Sequence, residues 1–146
     1  MSKREEAEAL FVDGCNCAQA VLCAFEEETG LDHKTAMMLS SSFGGGMGRM
    51  REVCGAVSGM FMVAGLLYGY DENSPKDAKA DHYALIRDLA EQFKEKTGSI
   101  LCRDLLDKQA IVGGLPAERT PEYYQTRPCA YLVGLAAEIT EKLTKK

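Results

Sequence analysis

The sequence predicts an all-α fold, a compact single-domain bundle of about five to seven helices spanning residues 1–146. Three observations predict it. Apolar residues recur at helical rather than alternating spacing, capping residues and glycines fall where helices should end, and strand-like runs rich in Val, Ile and Thr are almost absent. A chain of 146 residues that is 46% hydrophobic can bury a core without help from disulfides or a metal.

The first helix is predicted from Arg4 to Val12. Gly14 separates it from a second, capped near Asn16 and running through Ala20, Val21, Ala24 and Phe25 to a C-cap at Gly30. Asp32 caps a third, which carries Ala36, Met37, Met38 and Leu39 and stops at Gly44-Gly45-Gly46. The uncharged run from Val53 to Tyr70 is only just long enough for a membrane span and is interrupted by Gly55, Ser58, Gly59, Gly65 and Gly69. A buried central helix is therefore expected, with no membrane insertion. Pro75 suits the first turn of a long amphipathic helix in which Ala78, His82, Leu85, Leu89 and Phe93 recur until Gly98, while Lys79, Arg87, Asp88 and Glu91 take the solvent face. A short helix follows Ser99, and Gly113, Gly114, Pro116 and Pro121 mark an irregular stretch. Pro128 opens the last helix, which ends on the basic Lys145 and Lys146.

The net charge of −5 arises from 17 basic and 22 acidic residues spread along the chain, so the basic patch that nucleic acid would need is missing. The residues from Met1 to Glu8 start positive but continue acidic where an export signal would be apolar, and a cytoplasmic location is expected. Six cysteines are too few for a disulfide scaffold, which exceeds about 8% Cys, and more than packing requires. In a reducing compartment they point to catalysis, metal binding or redox sensing.

Four of them, Cys17, Cys54, Cys102 and Cys129, fall at or near predicted helix starts, where free N–H groups and the helix dipole favour a thiolate. Asn16, Ser99 and Thr126 are the expected caps for Cys17, Cys102 and Cys129. Arg49 and Arg51 precede Cys54, Arg103 adjoins Cys102, and Arg127 precedes Cys129, each able to stabilise negative sulfur. Cys23, among Val21, Leu22 and Phe25, reads as packing. Cys15 forms a Cys-x-Cys pair with Cys17 that offers an extra ligand or a resolving thiol.

The segment Phe43-Gly44-Gly45-Gly46-Met47-Gly48-Arg49 is glycine-dense enough to bring backbone amides against an anion or a cofactor. Gly44, Gly45, Gly46, Gly48 and Arg49 are the candidate cofactor-binding residues. Its sequence matches neither a P-loop nor a dinucleotide fingerprint. Gly55 with Gly59, and Gly65 with Gly69, form small-xxx-small pairs suited to close helix packing. His33 and His82 lie in no metal-ligand spacing, and no Cys-x-x-Cys, haem-attachment motif or serine nucleophile elbow occurs.

The segments Asn16-Cys17-Ala18-Gln19-Ala20-Val21, Phe43 to Arg49, Cys54-Gly55-Ala56-Val57-Ser58-Gly59, Cys102-Arg103-Asp104-Leu105-Leu106 and Arg127-Pro128-Cys129 together resemble the C_GCAxxG_C_C family of redox-active proteins. That family carries a Cys-Gly-Ala-x-x-Gly motif, here Cys54 to Gly59, and four recurring cysteines. The resemblance implies that Cys17, Cys54, Cys102 and Cys129 are the family's four and that Cys15 and Cys23 are extras.

Three functions are open at this stage. In the redox reading the four thiols converge, either holding an iron–sulfur cluster for electron transfer or exchanging between dithiol and disulfide with an unidentified redox partner. In the second, the same four sulfurs are ligands of a structural zinc, although their separations of 37, 48 and 27 residues are unlike the short spacings of closed zinc sites. In the third, the cysteines are core and the chain is a helical interaction or anion-binding domain. A homodimer, with Gly65 and Gly69 as candidate contacts, stays open.

Overall fold

The computed structural model describes residues 1–145; Lys146 of the expected basic tail lies outside them. Nine α-helices occur among the described residues: α1 Lys3–Val12, α2 Cys17–Cys23, α3 Glu26–Thr29, α4 His33–Ser40, α5 Gly55–Tyr68, α6 Ala78–Thr97, α7 Cys102–Leu106, α8 Pro121–Thr126 and α9 Cys129–Thr144. No strand accompanies them; one isolated antiparallel bridge pairs Val53 with Leu101.

The all-α expectation stands, with two more helices than the five to seven foreseen. The expected second helix divides at Ala24 and Phe25. Phe25 turns its ring wholly into the core under the Lys3 ammonium, and Nζ of Lys3 donates to the Ala24 carbonyl at 2.9 Å, an outside donor in place of the helical ladder. The other addition is α8, in the stretch read as irregular. Thr120 caps it by accepting from the Tyr123 N–H at 3.2 Å, with Pro121 at its first position.

Asn16 and Asp32 cap α2 and α4 as expected, and Gly30 and Gly98 end α3 and α6 in the left-handed conformation. Two expected caps are different. Ser99 lies outside α7, whose cap position is Leu101, and Thr126 ends α8 rather than starting α9. Both changes move a cysteine from the third helical position to the first. Pro75 sits in a turn ahead of α6.

Helix α9 runs along α1 and also packs on α2, α5 and α6, while α5 lies against α2. Between them Phe11, Leu22, Phe25, Met60, Leu89 and Phe93 are all but fully buried. The uncharged α5 is the central helix predicted, buried through Ala64, and no described helix is long and apolar enough to cross a membrane. Its two glycine pairs part company. A Cβ on Gly59 would stand 2.8 Å from the Ala18 carbonyl oxygen, so α2 and α5 touch backbone to backbone there, whereas Gly65 has no neighbour within 4 Å.

Candidate functional site

The Asn16-Cys17-Ala18-Gln19 segment is a capping box. The Asn16 side chain accepts from the Gln19 N–H at 2.8 Å and the Gln19 side chain accepts from the Asn16 N–H at 3.0 Å, which fixes Cys17 as the first residue of α2. Cys54 caps α5 across the same close contact. A Cβ on Gly55 would lie 2.8 Å from the Phe43 carbonyl oxygen and 3.1 Å from Cβ of Cys17, so only glycine lets the two cysteines approach. Around the isolated bridge, the Cys54 N–H donates to Ile100 at 2.8 Å and the Cys102 N–H to Glu52 at 2.6 Å, tying Cys54 to the start of α7. Cys129 follows Pro128 at the start of α9. All four cysteines line one cavity of about 310 Å³, Cys17 half-buried and the others buried.

The glycine segment forms the opposite wall as a left-handed turn. Gly45, Gly46, Met47, Gly48 and Arg49 all have φ between +62° and +67°, and Arg51 follows at +58°. Met47, Arg49 and Arg51 are not glycines, so each costs on the order of 1–2 kcal/mol to hold there. Such strain tends to collect at functional sites. Gly46 is irreplaceable on space as well, since its Cβ would fall 2.6 Å from Cβ of Cys102. The candidate residues Gly44, Gly45, Gly46, Gly48 and Arg49 thus share the cavity with the cysteines. The amides of Gly48, Arg49, Met50, Arg51 and Glu52, however, donate to carbonyls within the segment itself. Guanidinium groups rather than those amides give the wall its positive charge.

Arg49, Arg51, Arg119 and Arg127 all line the cavity, and no Asp or Glu does. Arg51 is only 3% exposed and donates to the Ile111 carbonyl at 3.0 Å and to Sγ of Cys102 at 3.5 Å. Arg119 is held by the Phe11 and Cys15 carbonyls, both at 2.9 Å, over the Phe11 ring. Arg127 donates to Gln109 and lies over Tyr123. None of these four forms a salt bridge among the described residues. In a chain of net charge −5, the charged side chains that line this cavity, among the described residues, are all cationic.

Its thiols respond unequally. Interaction with the Cys17 thiol, helped by Arg127, Arg119 and the Tyr123 hydroxyl, outweighs burial and brings Cys129 down to about 7. The same interaction, followed by burial, holds Cys17 well above its ordinary value. Burial pushes Cys54 up to about 12 despite the N–H groups of Ala56 and Val57, and raises Cys102 despite Arg51. The expectation of a thiolate at every helix start is therefore corrected: desolvation prevails except where a thiol donor and two cations face the sulfur. Arg103, expected to support Cys102, turns instead to the Glu52 carboxylate and the Arg51 carbonyl.

Residues 15–143 match the model of a family described as "Putative redox-active protein (C_GCAxxG_C_C)". The chain belongs to that family. Its Cys-Gly-Ala-x-x-Gly motif forms the α2–α5 contact described above, with Gly55 against Cys17 and Gly59 against Ala18. No curated protein and no solved structure matches the chain.

Cys15 and Cys23 do not line the cavity that the other four cysteines share. Sγ of Cys15 contacts Sδ of Met37 at 3.8 Å, and buried Cys23 ends α2. Sequence reasoning missed Arg119 and Tyr123, which sit 10 and 6 residues before Cys129 in a stretch without periodicity. Thr120-Pro121, a cap followed by proline, was the signal for α8 that would have placed Tyr123 on a helix.

Proposed function

We propose that this protein is a cytoplasmic thiol–disulfide redox protein, all of residues 1–146 serving one four-cysteine domain, with Cys129 as the attacking thiolate and Cys17 as its resolving partner. The observation that carries this reading is the convergence of Cys17 and Cys129 on one cavity, where their interaction draws Cys129 down to about 7 and holds Cys17 well above its ordinary value. An attacking thiol works best with a pKa near ambient pH.

The Cys129 thiolate attacks a disulfide of the partner protein or small molecule, forming a mixed disulfide and releasing one partner thiolate, which takes up a proton. Cys17 gives its proton to solvent and attacks Sγ of Cys129, closing a Cys17–Cys129 disulfide and releasing the second partner thiolate. Two electrons pass from the protein dithiol to the partner disulfide. Arg119, Arg127 and the Tyr123 hydroxyl stabilise the anionic sulfur.

A second reading is favoured by a different observation, four cysteines and four arginines around one cavity without a carboxylate. Cys17, Cys54, Cys102 and Cys129 would hold an iron–sulfur cluster, and the arginines would compensate its negative charge; bound there, the cluster would supply one-electron transfer. A single zinc fits less well. Tetrahedral Zn–S bonds of 2.3 Å put sulfurs about 3.8 Å apart, and no three of these four lie mutually within 4.8 Å.

The test is protein purified without oxygen, assayed for iron and acid-labile sulfide, then equilibrated in glutathione buffers of graded potential and mapped by mass spectrometry. Metal-free protein with a reversible Cys17–Cys129 disulfide bears out the exchange reading. Stoichiometric iron with sulfide replaces it by the cluster reading, and free thiols that stay inert across the range overturn both.

A further inference from the structure

The ends of three short helices meet away from the cavity. Cys23 is the last residue of α2, Glu26 the first of α3 and His33 the first of α4. The Cys23 sulfur, a Glu26 carboxylate oxygen and a His33 ring nitrogen all lie within 4.8 Å of one another, and among the described residues they are the one trio of cysteine, histidine or carboxylate side chains that do. The geometry points to a second site, a three-ligand centre for a borderline divalent transition cation such as Zn²⁺, built from Cys23, Glu26 and His33.

Several features suit that occupant. One sulfur, one carboxylate and one imidazole form a mixed donor set matched to Zn²⁺ or Co²⁺, and ill matched to Mg²⁺ or Ca²⁺, which take oxygen ligands. The Glu26 carboxylate already grips Nδ1 of His33 at 2.8 and 3.0 Å, so two ligands are oriented before any ion arrives. Cys23 is 7% exposed while the His33 side chain is 64% exposed. The thiol therefore closes the inner side, and the outer side leaves an entry path and a fourth position for water. The break at Ala24 and Phe25 that ends α2 places the start of α3 beside Cys23, and left-handed Gly30 with the Asp32 cap returns His33 to the same spot. Unlike the four widely spaced cysteines, this Cys-x₂-Glu-x₆-His set is local in sequence. It shares no residue with the proposed redox centre.

The test uses the full reduced chain and Co²⁺ as probe. The protein has two histidines, so the imidazole proton signals are assigned with a single His82→Asn variant. One equivalent of Co²⁺ is expected to shift the His33 ring protons strongly, to leave those of His82 near their diamagnetic positions, and to give a thiolate-to-cobalt charge-transfer band. Cys23→Ala and His33→Ala should each weaken that binding about tenfold or more, and Zn²⁺ should compete for it. Cys129→Ser should leave the His33 shifts intact, which separates this site from the redox pair. His33 signals that do not move, or equal Co²⁺ affinity in Cys23→Ala, His33→Ala and the parent chain with fold retained by circular dichroism, would overturn the assignment.

Discussion

Cys54 and Cys129 both stand at the start of a long helix, line the same cavity and are all but buried, yet Cys129 is drawn down to about 7 and Cys54 pushed up to about 12. Cys54 stays high although the N–H groups of Ala56 and Val57 at the head of its own helix favour its thiolate. A helix N-terminus does not by itself make a thiolate once the sulfur is out of water. At Cys129 the surplus comes from the Cys17 thiol, two guanidinium groups and a tyrosine hydroxyl, of which only Arg127 is a near neighbour in sequence.

The sharpest break of this comparison is to serine at each cysteine. At pH 7 a thiol at 7 is about half ionised and one at 9 about 1%. Cys129→Ser should therefore slow reaction with a small aromatic disulfide about tenfold or more, the lower intrinsic nucleophilicity of an acidic thiol offsetting part of the gain. Cys54→Ser should stay within about twofold; equal losses in the two variants would dissolve the contrast.

Space around Cys102 gives the next largest effect. Gly46→Ala combines a left-handed φ with a 2.6 Å clash and should cost about 2–4 kcal/mol in denaturant unfolding. The control, Gly65→Ala in an open helical position, should be neutral or stabilising by up to about 1 kcal/mol. A Gly46→Ala protein as stable as its parent would show that the glycine segment does not hold Cys102 in place.

The pH dependence of stability should separate the two thiols by sign. Cys54 is raised from 9.0 to about 12, so its contribution is complete below pH 9 and lost as pH climbs toward 12. Cys129 is depressed from 9.0 to about 7, so its contribution is complete above pH 9 and lost as pH falls toward 7. Unfolding between pH 7 and 10.5 should show Cys54→Ala easing the alkaline decline and Cys129→Ser removing a rise between 7 and 9. Tyr123→Phe is the mildest change: losing one hydrogen bond should roughly halve the thiolate fraction at pH 7, read from ultraviolet thiolate absorbance.

Most of the helical plan was legible because caps and periodicity are local. Asn16, Asp32, Gly30 and Gly98 punctuate the chain where they were expected to, and the four family cysteines could be singled out by their place at helix starts. The break at Phe25 was not legible, because it depends on Lys3, 22 residues away, reaching the Ala24 carbonyl. Nor was α8, whose Thr120-Pro121 start is surrounded by prolines and glycines that read as loop. Arg103 misled for the opposite reason: adjacency in sequence to Cys102 said nothing of the Glu52 carboxylate waiting across the bridge.

By itself, then, the sequence determined the all-α class and the positions of most helix ends and singled out four cysteines at helix starts, since each follows from short-range backbone preferences or residue pattern. Tertiary structure alone decided how burial and neighbouring charge shift each of those thiols and that Cys23, Glu26 and His33 meet. Burial and Coulomb interactions act over a few ångströms of space, and the groups that set them come from chain positions as far apart as Cys17 and Cys129.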